Sequence, residues 1–421
     1  MAMNKFEKLV YDAVKKNPNI KLKVRNIYQS VFDLLPNKKD FSTNEIQAKE
    51  GYFFGFHDVS PFSFDDTKLL ANRLTIPFRM PKRGDILEVG YFHFDGKMRD
   101  YVKIGDCHAW NYHKGCRLQW AGEDHVIYND AVGDELVSQL CCVSKKQTKT
   151  IPFPIDSASF CGTMATSFSY GRLEKLMPGY GYAYEDETYN HLKVPSETGL
   201  FLGNLTKGTR ELILSLDDLS KVGDISLSDL ESHHYVTHSL FSPDNRYISF
   251  LHRWVNEDNV LKRWSRLVVY DLVTKKCHVA PTNDMVSHYV WNKKNQIVAY
   301  CRVGDIDSHV LFEEPTLQKF KRVAYPKLNS DGHQSFITPE TFVTDTYPDK
   351  YRMANLYKVD STSNETVLLA RINSFKKFQS RTRKHWCCDL HPRMNRKGDV
   401  VCFDSVHTGE RALCTMDIKN S

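Results

Sequence analysis

From about residue 50 onwards, apolar residues come in short runs broken by Gly, Pro, Asn, Asp and Ser, and no long stretch keeps a helical period. This is the pattern of strands joined by tight turns, and it predicts an all-β body. Only the N-terminal end differs. There Ile20, Val24, Ile27, Tyr28, Val31 and Phe32 recur at helical spacing, with Lys21, Lys23 and Arg25 near the start. The expectation is a helix laid on the body through that apolar stripe, or one making a peripheral contact with anionic lipid or a protein partner.

The strands repeat as units. HSLFSPDNRYISFLHR from His238, HYVWNKKNQIVAYCR from His288, HQSFITPETFVTDTYP from His333 and HPRMNRKGDVVCFDS from His391 share one order: His, two residues, a large apolar residue, a polar turn and a β-rich run. Copies without the leading His begin near Asp58, Arg117 and Ile155, which makes seven. A second pair of strands follows the better copies, as in RLVVYDL then KCHVAP. Four antiparallel strands recurring about every 45 to 60 residues are propeller blades. The chain is therefore read as a short helical N-terminal extension, residues 1–48, and a seven-bladed β-propeller, residues 49–421. The last repeat runs out after three strands, at RALCTMDI, so a strand from within residues 41–56 must close the ring.

In a propeller the first strand of each blade lines the central channel, and the second returns beside it. Polar residues at the start of one and the end of the other thus share a rim. At the starts stand His57, Asp58, His113, Arg117, His238, His288, His333, His391 and Arg393. At the returning ends stand Arg73, Asn129, Arg172, Arg253, Arg302, Asp345 and Asp404. A site built only for packing would put Val, Ile or Ala at many of these positions. His238, His288, His333 and His391, from four consecutive blades, are the candidates for catalysis or for a divalent metal of the Mn, Fe or Zn kind, with Asp345 and Asp404 fixing ring tautomers. Arg172 and Tyr180, the latter in the phenol-rich GYGYAYEDETYN segment, are further catalytic candidates. His57, Asp58, Arg117, Asn129, Arg253, Arg302 and Arg393 are expected to bind substrate, because so many guanidinium groups ask for an anion.

Charge and cysteine content narrow the class. The net charge is +6, but residues 1–40 hold nine Lys and Arg against four Asp and Glu, so the body is close to neutral. A basic field wide enough for a nucleic-acid backbone is absent from it. No apolar run is long enough to span a bilayer, and the N-terminus lacks the core of a signal peptide. With eleven scattered cysteines and no spaced CxxC pair, the expectation is a cytoplasmic chain with reduced thiols.

Blade four, HSLFSPDNRYISFLHR, and blade seven, DLHPRMNRKGDVVCFDSVHTGERALCTMDI, resemble the propellers of oligogalacturonate lyases and, more loosely, of propeller-fold ulvan lyases. The resemblance covers residues 50 to 421 and is most specific at the histidine-bearing strand starts. It implies a cytoplasmic enzyme that holds Mn²⁺ in the channel mouth and cleaves uronate oligomers by β-elimination, with His288 and His391 as ligands. The chain departs from that pattern at two places. Arg393 stands where the family has a second His in blade seven, and Cys388 stands where it has a ligand Gln, so His238 or His333 would have to complete the set. The function expected is cleavage of a uronate-containing saccharide. The alternative is a non-catalytic module that binds sugar or protein in bacterial surface-polysaccharide assembly.

Overall fold

A computed structural model describes residues 5–15, 17–35, 38–184, 189–223, 225–256, 262–379 and 387–419. The strands form seven antiparallel sheets arranged as the blades of a propeller. Blade one comprises Tyr52–Phe53, Lys68–Leu74, Leu87–Phe94 and Met98–Cys107. The predicted closure is present: Ile46–Glu50 pairs antiparallel with Ala412–Asp417, adding the fourth strand to blade seven. Just before it, Phe41–Ser42 adds a fifth strand to blade six. Chain ends held this way are tied by ladder hydrogen bonds, and the ring has no seam without a paired strand.

Burial follows position in the blade. Tyr247–Val255, second in blade four, is buried at nearly every residue because neighbouring blades cover both faces. The outermost Gln147–Ile151 of blade two is exposed at all but its last residue. Apolar clusters such as Leu240, Leu251, Val269, Ile297 and Val310 fill the space between adjacent blades.

Two helices precede the propeller, α1 (Lys5–Val14) and α2 (Pro18–Phe32), the second capped by the side chain of Asn17. They lie against blades five and six. Tyr11 Oη reaches Asp307, Gln29 donates to the carbonyls of Pro348 and Asp349, and Phe32 packs edge-on against Tyr351 at 5.0 Å. Arg352 grips Asp33 through two nitrogens. The expected apolar stripe is split by this docking. Tyr28 and Phe32 face the body, while Ile20, Ile27 and Val31 face solvent.

Among the described residues, no helix is long and apolar enough to cross a membrane. All eleven cysteines are free thiols.

Candidate functional site

The inner strands bend at the repeated histidine. In blade four the pairing register shifts between Thr237 and Leu240, and in blade five between Val286 and Tyr289. His238 and His391 take the left-handed conformation, with φ of 55° and 46°. A bulge of this kind turns a side chain that would lie along the sheet face into the channel. Positive φ on a non-glycine residue persists only where its surroundings enforce it.

The result is a closed circle of rings around Phe56. Phe56 is buried on the channel axis, 4.7 to 6.1 Å between centroids from His57, His238, His288, His333 and His391. Around it His288 and His333 are 4.1 Å apart, His333 and His391 4.2 Å, and His113 stacks on Tyr180 at 4.6 Å. Tyr180 completes the circle to His238 at 6.1 Å. Gly55 feeds Phe56 into this position with φ of 115°, and a Cβ there would meet the Lys114 backbone at 2.9 Å.

Carboxylates orient the imidazoles from outside. Asp345 lies 2.9 and 3.0 Å from His333 Nδ1 and also accepts the backbone N–H groups of His333 and His391. Asp331 lies 3.2 Å from His288 Nδ1. Each leaves Nε2 as the remaining ring nitrogen. Burial holds His57, His238, His333 and His391 well below their ordinary pKa, so these rings are neutral at neutral pH. Burial also pushes the Asp345 and Asp389 carboxyls up to about 7.

Among the described residues, the group of three whose ligand atoms come within 4.8 Å of one another is His113, Asp389 and His391, a set able to hold a metal ion. The fit is supported by His391 itself: both its ring nitrogens are buried without a hydrogen-bond partner, an arrangement native interiors avoid unless something else satisfies the group. His238, His288 and His333 stand around the same hub but do not join that group.

The arginines do not form an open clamp. Arg117 lies 2.8 Å from Asp58 and 3.1 Å from Asp156, and Lys114 lies 2.8 Å from Asp156, all fully buried. Burial alone would raise the Asp156 carboxyl, but Arg117 and Lys114 outweigh it and hold it below its ordinary value. Arg393 pairs with Asp404 at 3.0 Å, and Arg302 with Asp307 at 2.5 Å. Asp404 does not reach a histidine. It accepts the N–H groups of Phe54 and Gly55 at 3.0 Å each, bolting blade seven to blade one. Asn129 is spent likewise, on the backbone of Ile155 and the hydroxyl of Tyr182.

Arg172 is not at a strand end, because Ser169 caps a short helix, α3 (Tyr170–Leu176), at that point. From there its guanidinium donates to the carbonyls of Tyr189, Leu192, Lys193 and His234. Arg253 differs from all of these. It donates to Ser265 Oγ and to the carbonyls of Val286 and Ser287, and among the described residues no carboxylate pairs with it. Burial lowers it to about 10.

The structure shares its fold with an oligogalacturonate lyase from Vibrio parahaemolyticus. The two match over 91% of this chain and 99% of that one, with a TM-score of 0.59 and 12% identity. The tricorn protease matches over 90% of this chain but 36% of its own, with a TM-score of 0.50 and 9% identity. An oligogalacturonate lyase in complex with manganese matches over 92% and 99% of the two chains, with a TM-score of 0.43 and 9% identity. No family model and no curated protein matches the sequence. At such identities the likeness is one of fold, and a fold shared by a lyase and a protease does not choose between them.

Phe56, Lys114, Asp156, Asp331 and Asp389 were not among the candidates read from the sequence. For two of them a signal existed. Asp331-Gly332-His333 and Asp389-Leu390-His391 repeat an acid two places ahead of the blade histidine. Tyr180 is set by a third acid, Glu174 of α3, which accepts the N–H groups of Gly179 and Gly181 at 2.9 to 3.1 Å and is pushed up to about 7 by burial. Residues 185–188 of the same phenol-rich segment lie outside the described residues.

Proposed function

We propose that the channel mouth is the active site of a lyase acting on uronate-containing saccharides by β-elimination, with a divalent cation of the Mn, Fe or Zn kind held by His113, Asp389 and His391. The observation that carries this reading is the circle of closely packed imidazoles around Phe56 with that ligand group on its edge. Two imidazoles and a carboxylate suit a borderline divalent ion. Such an ion would supply Lewis-acid stabilisation of charge developing on the uronate carboxylate.

The chain's own residues supply the rest. Arg253, with no carboxylate partner among the described residues, is the group that pairs with the substrate carboxylate in this reading. His238 Nδ1 is engaged by Thr237 Oγ1 at 2.9 Å, and its neutral ring offers Nε2 as the base that removes the proton α to that carboxylate. The bond to the leaving oxygen then breaks, a carbon–carbon double bond forms, and the oxygen takes a proton. Burial raises the Tyr180 phenol well above its ordinary pKa, so it keeps its proton at neutral pH and serves as that acid. The free thiols support a reducing, cytoplasmic setting.

Incubating the purified protein with Mn²⁺ and oligogalacturonate, or other uronate oligomers, should produce the ultraviolet absorbance of an unsaturated uronate. Asp389→Asn and His391→Ala should each weaken Mn²⁺ binding by more than the roughly 10–100-fold that losing an outer-shell partner costs, and Tyr180→Phe should lower kcat more than it raises KM. Retention of a uronate ligand without product would instead favour a sugar-binding module. Arg117, Arg302 and Arg393 pair internally with carboxylates, which leaves Arg253 as the one arginine expected to bind substrate that has no carboxylate partner among the described residues.

A further inference from the structure

The helical hairpin turns an apolar face away from the propeller. On α2, Ile20, Val24, Ile27 and Val31 fall within roughly 60° of arc at 3.6 residues per turn; Gln29 and Asp33 lie on the opposite side and, with Phe32 between, dock on residues 348–352. Ile27 is 68% exposed, Val31 58% and, in the turn that follows, Leu34 86%. On α1, Phe6 and Leu9 are about as exposed, whereas Glu7 and Tyr11 point inward to Lys350 and Asp307. Monomeric proteins seldom leave so many large apolar side chains together in water, and such a patch marks an interaction surface.

Charge identifies the occupant. Lys23 and Lys39 are exposed beside this face; Arg25, also exposed, lies towards the docked side, and the Lys38 ammonium rests 4.9 Å over the Tyr351 ring. The segment's acids are engaged: Glu7 with Lys350, Asp33 with Arg352 and Lys376, Asp12 with Lys15, and Asp40 with the backbone of Asn373. The outer face is therefore apolar and cationic at once, which is the composition of a helix that lies in an anionic membrane interface. A second copy of the chain is a poor match, because joining two such faces would bring lysine against lysine.

We infer that the N-terminal hairpin docks the propeller on an anionic lipid surface, with Phe6, Leu9, Ile27, Val31 and Leu34 entering the acyl boundary and the exposed Lys and Arg side chains at the headgroups. This does not depend on the reading of the channel. The full chain should co-sediment with phosphatidylcholine vesicles containing phosphatidylglycerol and bind pure phosphatidylcholine vesicles roughly 100-fold more weakly, as expected from several cations near the surface. The preference should shrink with salt.

Ile27→Asp with Val31→Asp, and separately Lys23→Glu with Lys39→Glu, should abolish binding while leaving the melting temperature and the channel chemistry unchanged. Absence of binding to the anionic vesicles overturns the inference. So does light scattering that shows a dimer which Ile27→Asp with Val31→Asp dissociates, since the face is then covered by a second copy.

Discussion

Asp156 is a buried carboxylate that joins two cations to the neighbouring blade. It accepts from Lys114, from Arg117, and from the backbone and hydroxyl of Ser239 one blade away, all out of contact with water. Asp156→Asn would leave two buried cations with one carboxylate, Asp58, between them. Uncompensated buried charge of this kind costs about 3–5 kcal/mol, so a urea titration should show a loss of that order. Asp65→Asn, on an exposed turn where Asp65 meets Ser63 and Thr67, should cost far less. A sequence shows that Lys114, Arg117 and Asp156 are ionisable. It does not show that they meet, because the pairs form across 39 to 59 residues of chain.

At the scale of the element, the ion pairs that tie the hairpin α1–α2 to the propeller include those of Asp33. Two nitrogens of Arg352 and the Lys376 ammonium hold its carboxyl well below the ordinary 3.8. Because the docked value is the lower one, the contact stabilises docking above pH 3.8 and is lost as pH falls below it. Asp33→Asn should raise hydrogen exchange across both helices at neutral pH, with little change in the blades.

The inner strands teach a related lesson. The repeated His-x-x-apolar order located the blade starts, yet nothing in it announces a bulge. The positive φ of His238 and His391 is imposed by the neighbouring blade, through contacts such as the Asp345 carboxylate on the His391 N–H. Arg172 went astray for the reverse reason. A local signal, the Ser169 cap, converts a strand end into a helix, and a seven-residue helix is too short for periodicity to reveal.

The whole molecule carries a set of buried neutral imidazoles, and these make its stability fall in acid. Away from the channel rim, Arg266 Nε donates to His252 Nδ1 at 3.1 Å. His252 in turn lies 2.9 Å from His234, and His234 Nε2 meets the Asp229 carbonyl. Burial lowers His234 to about 4 and drives His252 well below its ordinary value. The unfolded chain takes up these protons near pH 6.5 and the folded one does not. Stability is therefore complete above that pH and declines between 6.5 and 4, by about 1.4 kcal/mol per pH unit for each proton. Replacing both residues with Gln should flatten the slope of unfolding free energy against pH over that window.

Blade number, strand order within a blade and the need for an N-terminal closing strand were legible in the sequence. They rest on local periodicity and on the arithmetic of a ring that lacks one strand, and Ile46–Glu50 fills the predicted place. The circle of histidines was legible as a list but not as a site. Only the tertiary structure decided that Phe56 is its hub, that Asp389 and His113 rather than His238 bring their polar atoms within 4.8 Å of those of His391, and that Arg117, Arg302 and Arg393 spend their charge inside the protein. It also decided which face of α2 lies down. The physical reason is common to all of these. Backbone pairing follows rules a chain states residue by residue, whereas the partner of a buried charge, or the side of a helix that stays wet, depends on what distant segments place opposite it.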